Sequence, residues 1–205
     1  MSNWLFSAAL LCLFSISQAA VPKCEEVTKP LILEDDYKSI MGKWIFLEGI
    51  ADHHLFTSIL KTVNSSWIVF GPSSHAETAT LSQGNMLGGK CDYQTINTTV
   101  KDSTVYAIEN DTSTEGKLLP SCYNCLTMSF ISKVKNETIK SLYFFKRQSP
   151  QNENDLALYW KQAECLGFRR EPQYSYDGVT VCQTNPHHHK DILNCTNAYH
   201  RSQMV

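Results

Sequence analysis

The sequence predicts an all-β protein, a sandwich or barrel of short antiparallel strands with one late α-helix laid on its outer wall. Three observations predict it. Apolar runs of strand length recur along most of the chain, with Gly, Pro, Asn, Asp or Ser between most of them. A single stretch near the C-terminus carries helical periodicity instead. A Gly-Lys-Trp turn, Gly42 to Trp44, opens the first alternating run. The 205 residues are 42% hydrophobic, enough for one domain with a sizeable core.

The elements follow in order. Residues 1–20 form an apolar segment with no charged side chain before Lys23, ending in Ser17-Gln18-Ala19. That is too short for a membrane span and ends in a small-x-small pattern, so it is expected to be a signal peptide cut near Ala19 or Ala20. Pro30 to Ile40 has room for one short helical turn. From Gly42 the chain reads as β, with Trp44, Phe46 and Glu48 on one face and Ile45, Leu47 and Gly49 on the other. Further runs are "SSWIVFGP", "DYQTINTTV", "STVYAIEN", "CLTMSFISKV" and "SLYFFKRQ". Asn154 to Gly167 places Leu156, Tyr159, Trp160 and Ala163 on one helical face, with Asn154 or Asp155 to start it and Gly167 to end it. That stripe has to be buried, and the outside of the sheet is the available surface. The domain is expected over 21–184, with a polar tail over 185–205.

Three features bear on compartment and partners. The cysteines number eight; Cys12 leaves with the leader, and the remaining seven are an odd set expected to form disulfides in an oxidising compartment. Asn-x-Ser/Thr acceptors stand at Asn64, Asn97, Asn110, Asn136 and Asn194. Both point to a secreted, extracellular glycoprotein. A formal charge of −2 without a basic patch excludes the usual electrostatic footprint of a nucleic-acid binder. A monomer without a membrane span is expected.

The order of strands and late helix, with Gly42-x-Trp44 at the first strand, resembles the lipocalins. "PLILEDDYKSIMGKWIFLEG", "WIVFGP", "KCDYQT" and the final "ECLGF…VTVC" are similar to the alpha-1-acid glycoprotein branch of that family, including its fish saxitoxin/tetrodotoxin-binding and tributyltin-binding members. The resemblance implies an eight-stranded antiparallel up-and-down barrel with one C-terminal α-helix packed on its wall. Gly42 would turn the chain into the barrel floor, and Trp44 would plug that end. It also implies the bridges Cys24 to Cys165 and Cys91 to Cys182. Cys122, Cys125 and Cys195 fall outside this two-bridge plan; Cys122 is expected to bridge either Cys125 or Cys195.

For function, the resemblance implies reversible carriage of a small hydrophobic or amphipathic molecule: a lipid, a drug-like xenobiotic or a toxin. The phase set by Trp44 puts Phe46 and Glu48 inward. By resemblance the inward set continues with Ile68, Phe70, Tyr106, Met128, Phe130, Tyr143 and Phe145. In a small barrel the lining and the ligand pocket are one surface. An inward Glu48 would call for a cationic or amphipathic ligand. Loops at the mouth, including Gly49 to Ser58, are expected to be mobile and to set access, and His53-His54 to be exposed there. No enzyme activity and no cofactor is expected: neither a Gly-x-Ser-x-Gly nor a His-Glu-x-x-His pattern occurs, and Trp67 to Leu81 lacks the cup thiol of enzymatic lipocalins. Cys122-x-x-Cys125 falls in a hairpin region after Pro120 rather than at a helix start, and His187-His188-His189 with Asp191 and Cys195 reads as a solvated tail, so no metal is expected. Two other classes are left open: an immune-modulating glycoprotein acting through its surface and, ranked behind it, a lipocalin enzyme, which a thiol pointing into the cup would mark.

Overall fold

The computed structural model describes residues 22–34, 37–75, 77–109, 111–148 and 153–184. The leader, the tail with its histidines and Cys195, and the acceptors Asn110 and Asn194 lie outside the described residues. A short helix α1 (Cys24–Thr28) and one 3-10 turn (Lys38–Ile40) precede β1 (Gly42–Ala51). Then come α2 (His54–Leu60), β2 (Val63–Pro72), β3 (Thr78–Leu87), β4 (Lys90–Lys101), β5 (Thr104–Glu109), β6 (Thr112–Leu119), β7 (Cys125–Val134) and β8 (Glu137–Lys146). Helix α3 (Glu153–Cys165) and a two-residue strand β9 (Tyr174–Ser175) follow.

Strands β1 to β8 form a closed antiparallel barrel in up-and-down order, with β1 pairing both β8 and β2. Beyond Ile45, β1 leaves β2 and takes β9 on that edge, Glu48 opposite Ser175 and Gly49 opposite Tyr174. The ladder between β4 and β5 comprises three pairs, Thr99–Tyr106 to Lys101–Thr104. Mouthward of it, β4 continues from Thr98 up to Lys90 against β3, and the wall between β4 and β5 parts.

Two apolar layers hold these elements. Inside the floor half, Trp44, Phe46, Phe70, Val100, Val105, Leu118, Met128 and Phe145 pack together. Outside, Leu47, Ile50, Leu142 and Phe144 meet Tyr159 and Ala163 of α3, with Leu156 and Trp160 half-buried beside them. The helix covers the wall with the stripe expected of it. It starts at Glu153, so Asn154 and Asp155 fall in its first turn rather than capping it, and Asp155 pairs with Lys146 at 2.6 Å. Its end is a Schellman arrangement: Gly167 has φ +84°, its N–H donates to Glu164, and the Phe168 N–H donates to Ala163.

Strands β3 and β6 are absent from the sequence-level runs, for a physical reason. Their inward residues include Gln83, Asn85, Thr112 and Thr114. A strand lining a polar stretch of cavity loses the alternation that marks a strand against a greasy core. Gly84 on β3 lies beneath the Trp67 indole, and a Cβ there would meet the ring at 2.5 Å.

The bridges Cys24–Cys165 and Cys91–Cys182 are both present, and Cys122 is bridged to Cys125. No described helix is long and apolar enough to cross a membrane.

Candidate functional site

At the floor, Gly42 has φ +92°, the left-handed region that glycine tolerates, and leads directly into β1. Trp44 is 4% exposed. Its indole N–H donates to the Ile40 carbonyl at 2.7 Å, and the Arg147 guanidinium lies 3.7 Å over its ring. Above this plug the barrel holds a cavity of about 810 Å³.

Phe46, Ile68, Phe70, Met128, Phe130, Tyr143 and Phe145 all line that cavity. Phe46 is the hub of an aromatic cluster, with Tyr143 edge-on at 5.0 Å, Phe145 at 5.1 Å and Tyr174 stacked at 4.3 Å. Tyr174 reaches the core from β9, so the short strand that fills the edge left by β2 also supplies an aromatic wall.

Two residues expected inside are not there. Glu48 faces the outer wall, because the ladder shifts register between Phe46 and Glu48. A bulge places Leu47 and Glu48 on the same side and returns Gly49 and Ala51 to the interior. Glu48 is 4% exposed, accepts a hydrogen bond from Ser175 Oγ at 2.7 Å, and stands opposite Phe144 of the outer layer. Tyr106 is 41% exposed and points outward. The tight turn at Asp102-Ser103, both with positive φ, sets Val100 opposite Val105, and cross-strand partners share a face. Buried Val100 therefore turns Val105 inward and Tyr106 outward, while Ala107 and Glu109 line the cavity.

The polar side of the cavity has no counterpart in the expected set. Asp92, Gln94 and Glu109 line it on β4 and β5, with Gln83 and Asn85 on β3. Gln83 Nε2 donates to Gln94 Oε1 at 2.6 Å, and Gln94 Nε2 donates to Glu109 Oε1, a relay that spans the parting between β4 and β5. Ser66 Oγ donates to Asn85 Oδ1 at 2.7 Å. Asp92 and Glu109 are exposed at the rim, and among the described residues no Lys, Arg or His lines the cavity. The signal was present as "KCDYQT" and "YAIEN", but polar residues on alternate positions look like a solvated face until the register is known.

At the mouth, Gly49 to Ser58 is not a loop. Its first residues belong to β1, and His54–Leu60 forms α2, whose Phe56, Ile59 and Leu60 line the cavity. His53 Nδ1 accepts the Leu55 N–H at 3.3 Å, and its Nε2 lies 2.9 Å from Glu137 Oε2. His54 is exposed. Asn64, Asn97 and Asn136 are exposed, as a glycan acceptor has to be.

Burial pushes the phenols of Tyr143, Tyr159 and Tyr174 above their ordinary value of 10.0. Nearby Glu48 adds to this at Tyr159. Their neutral forms also donate usefully: Tyr159 Oη to the Leu142 carbonyl at 3.0 Å and Tyr174 Oη to the Phe46 carbonyl at 3.3 Å. A raised folded pKa makes this contribution complete below pH 10 and lost as pH climbs through the folded values. Urea midpoints should therefore be flat with respect to these groups up to about pH 9 and fall beyond about pH 10, and Tyr159→Phe should make the fall shallower. An equally steep fall in that variant would contradict the assignment.

No family model matches the chain. It is 25% identical over 193 residues to saxitoxin and tetrodotoxin-binding protein 2 of Takifugu pardalis and 24% identical over 198 residues to protein 1 of the same fish. Each alignment covers 83% of this chain and 47% of the relative, so the chain spans about half the length of the curated relatives it matches. In structure it is similar to the siderocalin Ex-FABP, described as functioning through dual ligand specificities, with a TM-score of 0.60, 11% identity, and coverage of 71% of this chain and 99% of that one. The siderocalin Q83, described as having a dual ligand binding mode, gives 0.60 at 13% identity over 73% and 96%. A dog lipocalin allergen gives 0.54 at 13% over 69% and 97%. The barrel with its C-terminal helix is thus a lipocalin-type fold, and the sequence resemblance to the fish toxin-binding proteins is found as well.

Proposed function

We propose that this chain is a secreted carrier that reversibly binds a small amphipathic molecule bearing a cationic group. The observation that carries this is the cavity's division of labour: an aromatic and aliphatic floor below, and the carboxylates of Asp92 and Glu109 on the β4–β5 side, with no basic residue lining the cavity among the described residues. Apolar surface taken from water contributes roughly 25 cal/mol per Å², less the cost of immobilising the ligand. A cation at the rim would meet two carboxylates, one of them oriented by Gln94. The names of the relatives, which bind saxitoxin and tetrodotoxin, favour a small-molecule cargo. The three bridges agree with an oxidising, extracellular setting, in which Asn64, Asn97 and Asn136 would carry glycans.

A surface-acting glycoprotein would have no use for an open lumen, and a cavity of 810 Å³ is of ordinary ligand-site size. Among the described residues, no cysteine lines it.

The test is displacement of a fluorescent apolar probe by cationic, neutral and anionic amphiphiles of equal apolar size. The cationic one should bind best, and Asp92→Asn with Glu109→Gln should weaken it by roughly tenfold, the worth of about 1.4 kcal/mol, while sparing the neutral one. Equal loss for both would remove the charge assignment. Failure of any apolar probe to bind would remove the carrier.

A further inference from the structure

We propose that Cys122, Cys125 and Asp155 form a binding site for a soft divalent metal ion of the zinc class once the Cys122–Cys125 bridge is opened by a low-molecular-weight thiol. The site lies in the β6–β7 turn at the floor, among the outer-layer residues, and is separate from the ligand cavity.

The donors are already assembled. Both sulfurs and an Asp155 carboxylate oxygen lie within 4.8 Å of one another. The two cysteines are held with Cα atoms 5.0 Å apart. Tetrahedral zinc with sulfur ligands at about 2.3 Å needs its sulfurs about 3.8 Å apart, and two thiolates and a carboxylate with one open position are an acceptable zinc set. Cys-x-x-Cys on a tight turn is the spacing that presents two thiolates to one ion.

The turn is also held by contacts other than the bridge. The Cys125 N–H donates to the Cys122 carbonyl at 3.0 Å, and the Arg147 N–H donates to the Asn124 carbonyl at 3.0 Å. Gln162 Nε2 donates to the Pro120 carbonyl at 2.7 Å, and Ser121 and Thr127 share a hydroxyl hydrogen bond at 2.6 Å. Asn124 takes the left-handed conformation the turn needs. The long bridges differ: Cys24–Cys165 ties α1 to the end of α3, and Cys91–Cys182 fastens the C-terminal segment over β2.

The chemistry balances. Two equivalents of thiol reduce the bridge to two cysteine thiols and are oxidised to one disulfide. The ion then displaces one proton from each thiol and takes the place of the Lys146 ammonium on Asp155, which it holds at 2.6 Å.

The experiment uses the full oxidised chain in stepped glutathione redox buffers, with alkylation and peptide mass spectrometry. Cys122 and Cys125 should be labelled first, with the other two bridges closed and the far-UV circular dichroism of the barrel intact. Cadmium added to that form should bind at one equivalent with a thiolate-to-metal charge-transfer band. The band should be missing from the oxidised protein and from the Cys122→Ser, Cys125→Ser variant, which removes the donors without touching Cys195. Asp155→Asn, shown folded by its circular dichroism, should bind cadmium about tenfold more weakly. Opening of a long bridge at the same poise, a band that survives loss of both cysteines, or unchanged affinity in Asp155→Asn would each overturn the proposal.

Discussion

Replacing Trp44 with Ala should lower the stability of this protein by about 3–5 kcal/mol, the range for truncating a large buried aromatic. Three losses combine. The side chain is almost wholly buried in the floor layer, so its removal leaves a cavity where the walls of the barrel converge. The Ile40 carbonyl loses its donor. Arg147, which stacks on the indole and donates to the carbonyls of Lys43 and Ser39, loses the surface that orients it. Trp44→Phe keeps part of the volume and should cost less than half as much. Urea unfolding measures both, and a cost below about 1 kcal/mol for the alanine variant would mean that the floor is closed by something else.

The second large effect is on one of the two long disulfides. Cys91→Ser with Cys182→Ser should cost about 4–5 kcal/mol by loop-closure entropy, because the bridge spans 91 positions of the chain. The same relation gives about 2 kcal/mol for Cys122–Cys125, which spans three. The contrast between the two serine pairs is a sharper test than either alone, since surface effects of the substitution largely cancel. Equal costs would show that chain entropy is not what separates them. The C-terminal segment gives a second readout. The Cys182 carbonyl accepts the Trp67 indole N–H at 2.7 Å, and the Thr180 carbonyl accepts a hydrogen bond from Ser65 at 3.0 Å. Losing the bridge should therefore raise hydrogen exchange near Val179 to Cys182 before the barrel itself opens.

Much of the fold was legible because hydrophobic pattern and local chemistry agree. Trp44 and the stripe on α3 report burial, and Gly167 reports the left-handed turn that ends the helix. Of the greasy lining, Phe46 followed from its phase with Trp44, and Phe70, Met128 and Phe145 followed from the family resemblance. The cavity was illegible where the lining is polar, which concealed β3 and β6 and with them the wall bearing Gln83, Asn85 and Thr114. Glu48 and Tyr106 failed for a different cause. Parity along a strand holds until a bulge or a hairpin register resets it, and neither the Phe46–Glu48 irregularity nor the Val100–Val105 pairing leaves a mark on residue type. A carboxylate does face the lumen, but from Asp92 and Glu109 rather than from the first strand.

The parting between β4 and β5 gives the cup a preferred direction of give. Most neighbouring strands around the cylinder share six or more backbone pairs, and where β1 leaves β2 after four pairs, β9 takes the open edge. At the parting a glutamine and a glutamate span the gap with their side chains. Such a stitch yields at far smaller cost than a zipper, so a guest too long for the lumen would lay its surplus sideways through that seam instead of pushing α2 off the top.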